Sequence, residues 1–191
     1  MGYASLTEYG DTYESDKSPA SVQRALDAAS DYINEYTGRT FTVDTSTSKR
    51  IFYGLPSLRD ASVRIPMDDC VSVDGVECRS RGVWGALDAD TYQVEPLNAP
   101  VHGSVYTSIY IPECVDCDLF RVNAQWGWSA VPAAIVVACI EIASILLVEG
   151  VRATQVETTV SSEDTTEANI QPAVQDMLIS MVGQYKRVSH A

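Results

Sequence analysis

Apolar residues recur along this chain at two different spacings, and the change from one to the other divides it into three parts. In residues 18–38, SPASVQRALDAASDYINEYTG, the positions Val22, Ala25, Leu26, Ala29, Ile33 and Tyr36 return every three or four residues. Arg24, Asp27, Asp31 and Glu35 fall on the other side. Ser18 suits the N-cap, Pro19 the first turn, where its missing N–H costs nothing, and Gly38 the left-handed residue that ends a helix. The spacing predicts a one-faced helix from Pro19 to Thr37. Beyond it the period shortens to two. SKRIFYGL, ASVRIP, CVSVDGVEC, TYQVEP, SVYTSIYIP and DLFRVNAQW are short, rich in β-branched and aromatic residues, and separated by Pro, Gly, Asp and Asn. They predict strands, with Val105, Thr107, Ile109 and Ile111 alternating against Tyr106, Ser108 and Tyr110. Asp74-Gly75 carries the signature of a type I′ turn, so Val71 and Val73 are expected to fold back against Val76 and Cys78. RSRGVWGALDAD reads as an exposed loop with Trp84 near its tip.

The third part opens with AQWGWSAVPAAIVVACIEIASILLVEG, in which the run from Pro132 to Val148 holds one charge, Glu141. A membrane span needs about 20 predominantly apolar residues, and a carboxylate near its middle costs a few kcal/mol. This run is shorter and has no Lys or Arg cluster to orient it, so no membrane association is expected. A helix apolar all round must be covered on every side. Packing between subunits would do this, with Glu141 paired or facing a lumen. A polar, acidic strap follows at 151–169. Helical spacing then resumes through Val174, Met177, Leu178, Met181, Tyr185 and Val188, with Pro172 in the first turn and Lys186 and Arg187 near the C-terminal dipole. The elements together predict an α+β chain. A small helical bundle (about 18–38, 130–150 and 170–188) carries a β-rich antiparallel insertion at 39–125, and 191 residues suit one such domain.

Charge narrows the function. With 26 acidic against 13 basic residues, a net charge of -13 and a pI near 4.4, the surface opposes tight binding to a phosphate backbone and suits DNA that slides past. The N-terminal MGYASLTEYGDTYESDK has neither a basic n-region nor an apolar h-region, and Leu6 replaces the Ser or Thr a myristoylation site wants. Synthesis in the cytosol is the expectation, and five cysteines are then expected as free thiols. A different reading takes Cys114-x-x-Cys117 with Cys70 and Cys78 as a zinc site in an interaction module, although the spacing of the second pair lacks the usual knuckle. His102 and His190 are the two histidines and lie in no catalytic motif. Neither an enzymatic activity nor a cofactor is expected.

Four segments in this order, ALDAASDYINEYTGRTF, IPMDDCVSVDGVEC, DADTYQVEPLNAP and DLFRVNAQWGWSAVPAAIVVACIEIASILL, resemble the head-tail connector, or adaptor, proteins of long-tailed bacteriophages. The similarity runs through YTGRTF at the end of the first helix, through Trp126-Gly127-Trp128 after a strand, and through Val131-Pro132 opening the apolar helix. It covers roughly residues 20 to 150, and GWSAVPAAI is its most specific part. The enlarged strand region and the strap before the last helix depart from the family pattern. The resemblance implies a homo-oligomeric ring, a dodecamer, beneath the portal protein at the capsid vertex. That ring would extend the DNA channel without binding DNA specifically and would support the next connector or stopper. It implies a place in the virion, with assembly in the host cytoplasm. Subunit contacts are expected at Trp126, Trp128, Ile135, Ile142 and Leu146, and portal contacts at Met181, Tyr185, Lys186 and Arg187.

Overall fold

The computed structural model describes residues 2–14, 16–113, 117, 119–157 and 170–187. The chain is α+β and divides into two compact units, Met1–Arg39 with Val131–Ala191, and Thr40–Ala130.

The first unit is helical. A short helix α1 (Leu6–Thr12), absent from the sequence expectation, is held by a capping box in which the Ser5 hydroxyl accepts from the Glu8 N–H and the Glu8 carboxylate accepts from the Ser5 N–H. Helix α2 (Pro19–Thr37) has the expected ends: the Ser18 hydroxyl accepts from the Ser21 N–H, Pro19 sits in the first turn, and Gly38 closes the helix at φ 65°. Its buried stripe is Val22, Ala25, Leu26, Ala29 and Ile33. Helix α3 (Ala133–Glu157) runs past the expected end near Glu149. It buries Ile135, Ala138, Cys139, Ile142 and Ala143, and small residues on both α2 and α3 permit close packing. Helix α4 (Ile170–Met177) continues through a wider π-type turn at Leu178–Val182 and a tight turn at Gly183–Tyr185. The chain from Tyr185 to Arg187 then returns to the C-terminus of α2, where the Arg39 Nε donates to the Tyr185 carbonyl at 2.6 Å and the Arg187 N–H donates to the Thr37 carbonyl at 2.9 Å. The part of the expected strap from 158 to 169 lies outside the described residues.

The second unit is an antiparallel sheet of β1 (Ser48–Phe52), β2 (Leu55–Pro56), β3 (Val63–Ser80), β4 (Val83–Ala86), β5 (Gln93–Glu95), β6 (Tyr106–Ile111) and β7 (Leu119–Trp126). Its order is β1-β7-β3-β6-β5, with β2 and β4 also paired to β3. The hairpin expected at Asp74-Gly75 does not form. Those residues lie inside the 18-residue β3, where register shifts at Cys70/Ser72 and Val73/Gly75 absorb them as irregularities against β7. The hairpin turn is Arg81-Gly82, with φ 50° and 84°, and it sends the expected RSRGVWGALDAD loop back as β4. One face of the sheet buries Val63, Ile65, Met67, Ile109, Phe120, Val122 and Trp126 in a single cluster. Burial alternates along β7, with Phe120, Val122, Ala124 and Trp126 inside and Arg121, Asn123 and Gln125 between them.

Candidate functional site

The end of β7 is the most tightly specified point of the sheet unit. The Trp126 ring is buried, its indole N–H donates to the Ser48 carbonyl at 2.9 Å, and the Arg50 guanidinium lies 4.6 Å from the ring centre. Arg50 itself bridges Asp44 and Asp68 at 3.0 and 2.8 Å. The Trp126 carbonyl accepts from the Asp44 N–H, and the Gly127 N–H donates to the Asp69 carbonyl at 2.7 Å. Trp128 then turns its indole N–H onto the buried Asp69 carboxylate at 2.8 Å and stacks obliquely on Phe41. Gly127 has φ 98°, and a Cβ there would stand 1.9 Å from the Thr42 carbonyl oxygen. Only glycine fits, which explains the Trp-Gly-Trp sequence physically.

Of the residues expected at subunit contacts, Trp126, Trp128, Ile135 and Ile142 are buried within the chain itself and contribute to its own packing. Leu146 is half-buried. Among the described side chains of α3, the large apolar ones left open are Val137 and Val148, 46% and 55% exposed. Glu141, expected to pair or face a lumen, accepts a 2.6 Å hydrogen bond from the Tyr13 hydroxyl inside the helical unit. That bond, the largest cause, together with desolvation raises the Tyr13 pKa above its ordinary value. Among the described residues no helix is long and apolar enough to cross a membrane. Of the expected portal-contact residues, Lys186 is exposed and rests 4.9 Å from the Tyr36 ring centre, while Met181, Tyr185 and Arg187 are half-buried.

The three described cysteines of the zinc reading, Cys70, Cys78 and Cys117, do not form a metal site. Cys78 and Cys117 form a disulfide across a Cα separation of 5.8 Å, which also corrects the expectation of free thiols at these two positions. Cys70 is buried, and desolvation together with Asp69 and Asp68 pushes its thiol up to about 12, opposite to what a thiolate ligand needs. Cys139, also buried, has a raised pKa for the same first reason. Cys114 lies outside the described residues. No group of three or more His, Cys, Asp or Glu is placed to hold a metal among the described residues.

A second constellation, which the sequence reading did not find, lies on the other face of the sheet. Directly opposed residues share a face. Register therefore puts Ile51 and Glu77 beside Arg121, Lys49 beside Asn123, and Trp84 beside Arg79. Glu77 is bridged by Lys49 at 2.9 Å and by Arg121, and these hydrogen bonds, Lys49 first, hold its carboxyl below the usual range. The Arg121 and Arg79 guanidiniums lie 4.5 and 5.9 Å from the Trp84 ring centre. The signal was the β-period itself, which becomes informative once the register of β1, β3, β4 and β7 is known.

No family model and no curated protein matches this sequence. Solved structures do. The chain is similar over 97% of its length, and 91% of the other's, to a chain in the neck of an empty gene transfer agent particle computed with C6 symmetry, at a TM-score of 0.50 and 13% identity. A chain in the neck of the native gene transfer agent particle computed with C12 symmetry is covered equally, at a TM-score of 0.46 and 14% identity. What the first of these shares with the chain is the fold.

Proposed function

We propose that this chain is a structural protein of a phage-type particle, a head-tail adaptor that assembles as a ring beneath the portal. The observation that carries the reading is the extent of the fold likeness: it spans 97% of the chain, and so both the helical and the sheet unit, and its counterpart is a chain of a particle's neck. The resemblance of GWSAVPAAI and the segments around it to head-tail adaptors points the same way. In this reading the ring, a dodecamer, extends the DNA channel, and its net negative charge keeps DNA from sticking during transit. The segment containing Met181, Tyr185, Lys186 and Arg187 faces the portal, and the opposite side receives the next connector or stopper. The protein works in the virion and is built into it in the host cytoplasm, with no catalytic step of its own.

The deciding experiment combines the purified chain with rings of the portal protein from the same particle, followed by sedimentation and electron microscopy. A ring of this chain seated on the portal is expected; no association at any ratio would refute the adaptor role. Deleting residues 170–191 is expected to abolish the association, and near-unchanged binding would remove the C-terminal segment from the portal contact.

A further inference from the structure

We infer that the cationic, aromatic outer face of the sheet unit docks on the acidic stripe of α2 in a second copy of this chain, a head-to-tail contact that builds the ring. The inference deepens the adaptor reading and rests on it. The face is open: Ile51 is 57% exposed, and the Lys49 side chain is 51% exposed. Three cations, Lys49, Arg79 and Arg121, gather there with the carboxylate of Glu77, which Lys49 and Arg121 bridge, and with Asp74, which accepts from the Asn123 amide, in a chain that is strongly acidic as a whole. Trp84 keeps two of the guanidiniums against its ring, which lowers the entropy they lose on docking. The complement lies on α2. Asp27, Asp31 and Glu35 recur every four residues, so they form one row on the helix, and all three are exposed opposite the buried stripe, with the exposed Arg24 on the same side one turn earlier. The half-exposed Tyr32 flanks the row and offers an aromatic partner to Ile51.

Charge complementarity of this kind sets register and speeds association, and like charges placed across the same contact cost several kcal/mol. The two surfaces differ, so the contact is heterologous, the type that closes into rings when the rotation permits. Nucleic acid is the weaker occupant, because Glu77 sits among the cations and the surrounding charge repels phosphate.

Two full-length variants test this. One carries Asp27→Lys, Asp31→Lys and Glu35→Lys; the other carries Lys49→Glu, Arg79→Glu and Arg121→Glu. Each then presents two surfaces of like sign, and each alone is expected to self-associate on the order of a hundredfold more weakly than the native chain in sedimentation velocity at low salt. Mixed one to one, every contact is again complementary, and assemblies alternating between the two variants are expected by native mass spectrometry. Recovery in the mixture also shows that both variants are folded. Native self-association is expected to weaken as salt rises. A native chain that stays monomeric, an assembly indifferent to salt, or either variant assembling alone like the native chain would overturn the inference. If the mixture fails to recover, the milder pair Lys49→Glu and Arg79→Glu, checked for an unchanged melting curve, decides: normal assembly by that pair also overturns it. Retention of duplex DNA that is lost in the Lys49, Arg79, Arg121 variant, with self-association unaltered, would assign the face to nucleic acid instead. Self-association by the expected rules without binding to portal rings would leave this contact standing and refute the adaptor reading.

Discussion

Gly127 shows how much one residue specifies. Its positive φ and its approach to Thr42 leave no room for a side chain, while its N–H and the two flanking indoles are each hydrogen-bonded to backbone or carboxylate. Gly127→Ala forces backbone to move at a buried junction, and a loss of about 3 kcal/mol or more is expected by chemical denaturation. Gly38→Ala, at a similar φ but with only an Arg187 carbon at 3.9 Å, is expected to cost about 1 kcal/mol. The contrast checks that close approach, beyond φ alone, fixes glycine in the Trp-Gly-Trp run. Tyr13 makes a different prediction. Its pKa is raised in the folded chain, so its contribution to stability is complete below the ordinary value of 10.0 and disappears as pH rises through the higher folded value. Tyr13→Phe is expected to destabilise the native chain by about 1 kcal/mol at pH 7 and to flatten the alkaline fall in melting temperature above pH 10. An unchanged alkaline limb would show that the bond to Glu141 contributes nothing.

Among the elements, helix α2 and the strand segments that became β1, β5, β6 and β7 were legible, while the pairing and register of the strands were not. Helix α2 needed only Ser18, Pro19, Gly38 and its apolar stripe, all visible in sequence. Helix α1 was not expected: the Ser5-x-x-Glu8 capping box marks its start, but its single buried residue, Tyr9, gives no apolar period. Ser5→Ala is expected to cost about 1 kcal/mol and to reduce helical circular dichroism slightly. The reverse happened at Asp74-Gly75, a strong turn signal overridden because β7 offers one long partner to both sides of it, so the extra residues enter as bulges. The turn that does form, Arg81-Gly82, carries a weaker signature. The opposed pairs on the outer face depend on that register, which is why the constellation of Lys49, Arg79, Trp84 and Arg121 could not be seen beforehand. The Cys78–Cys117 bond escaped for a different reason, since expected synthesis in the cytosol led to free thiols being expected, and the pairing of strands that brings Cys78 and Cys117 together was not visible.

For the chain as a whole, the division into two units has a thermodynamic consequence. The core cluster of the sheet unit, with Trp126, Phe120, Ile65 and Ile109 at its centre, is drawn entirely from residues 40–130, as are the anchors of the Trp-Gly-Trp run, Phe41, Thr42, Asp44 and Asp69. A region that supplies its own core and satisfies its own buried polar groups has what it needs to fold alone. Residues 40–130 produced as a separate polypeptide are therefore expected to give a β-type circular dichroism spectrum and one cooperative melting transition. The Cys78–Cys117 bond closes a separation of 39 residues, and chain-entropy arguments put its contribution at about 4 kcal/mol at most. In a fragment of this size that is a large share of a typical total. Reduction, or Cys78→Ser with Cys117→Ser, is accordingly expected to lower the fragment's melting temperature by more than about 10 °C. A fragment that melts without cooperativity even when oxidised would show that the sheet unit folds only when joined to the helices. One whose melting is indifferent to reduction would show that the apolar core alone sustains it.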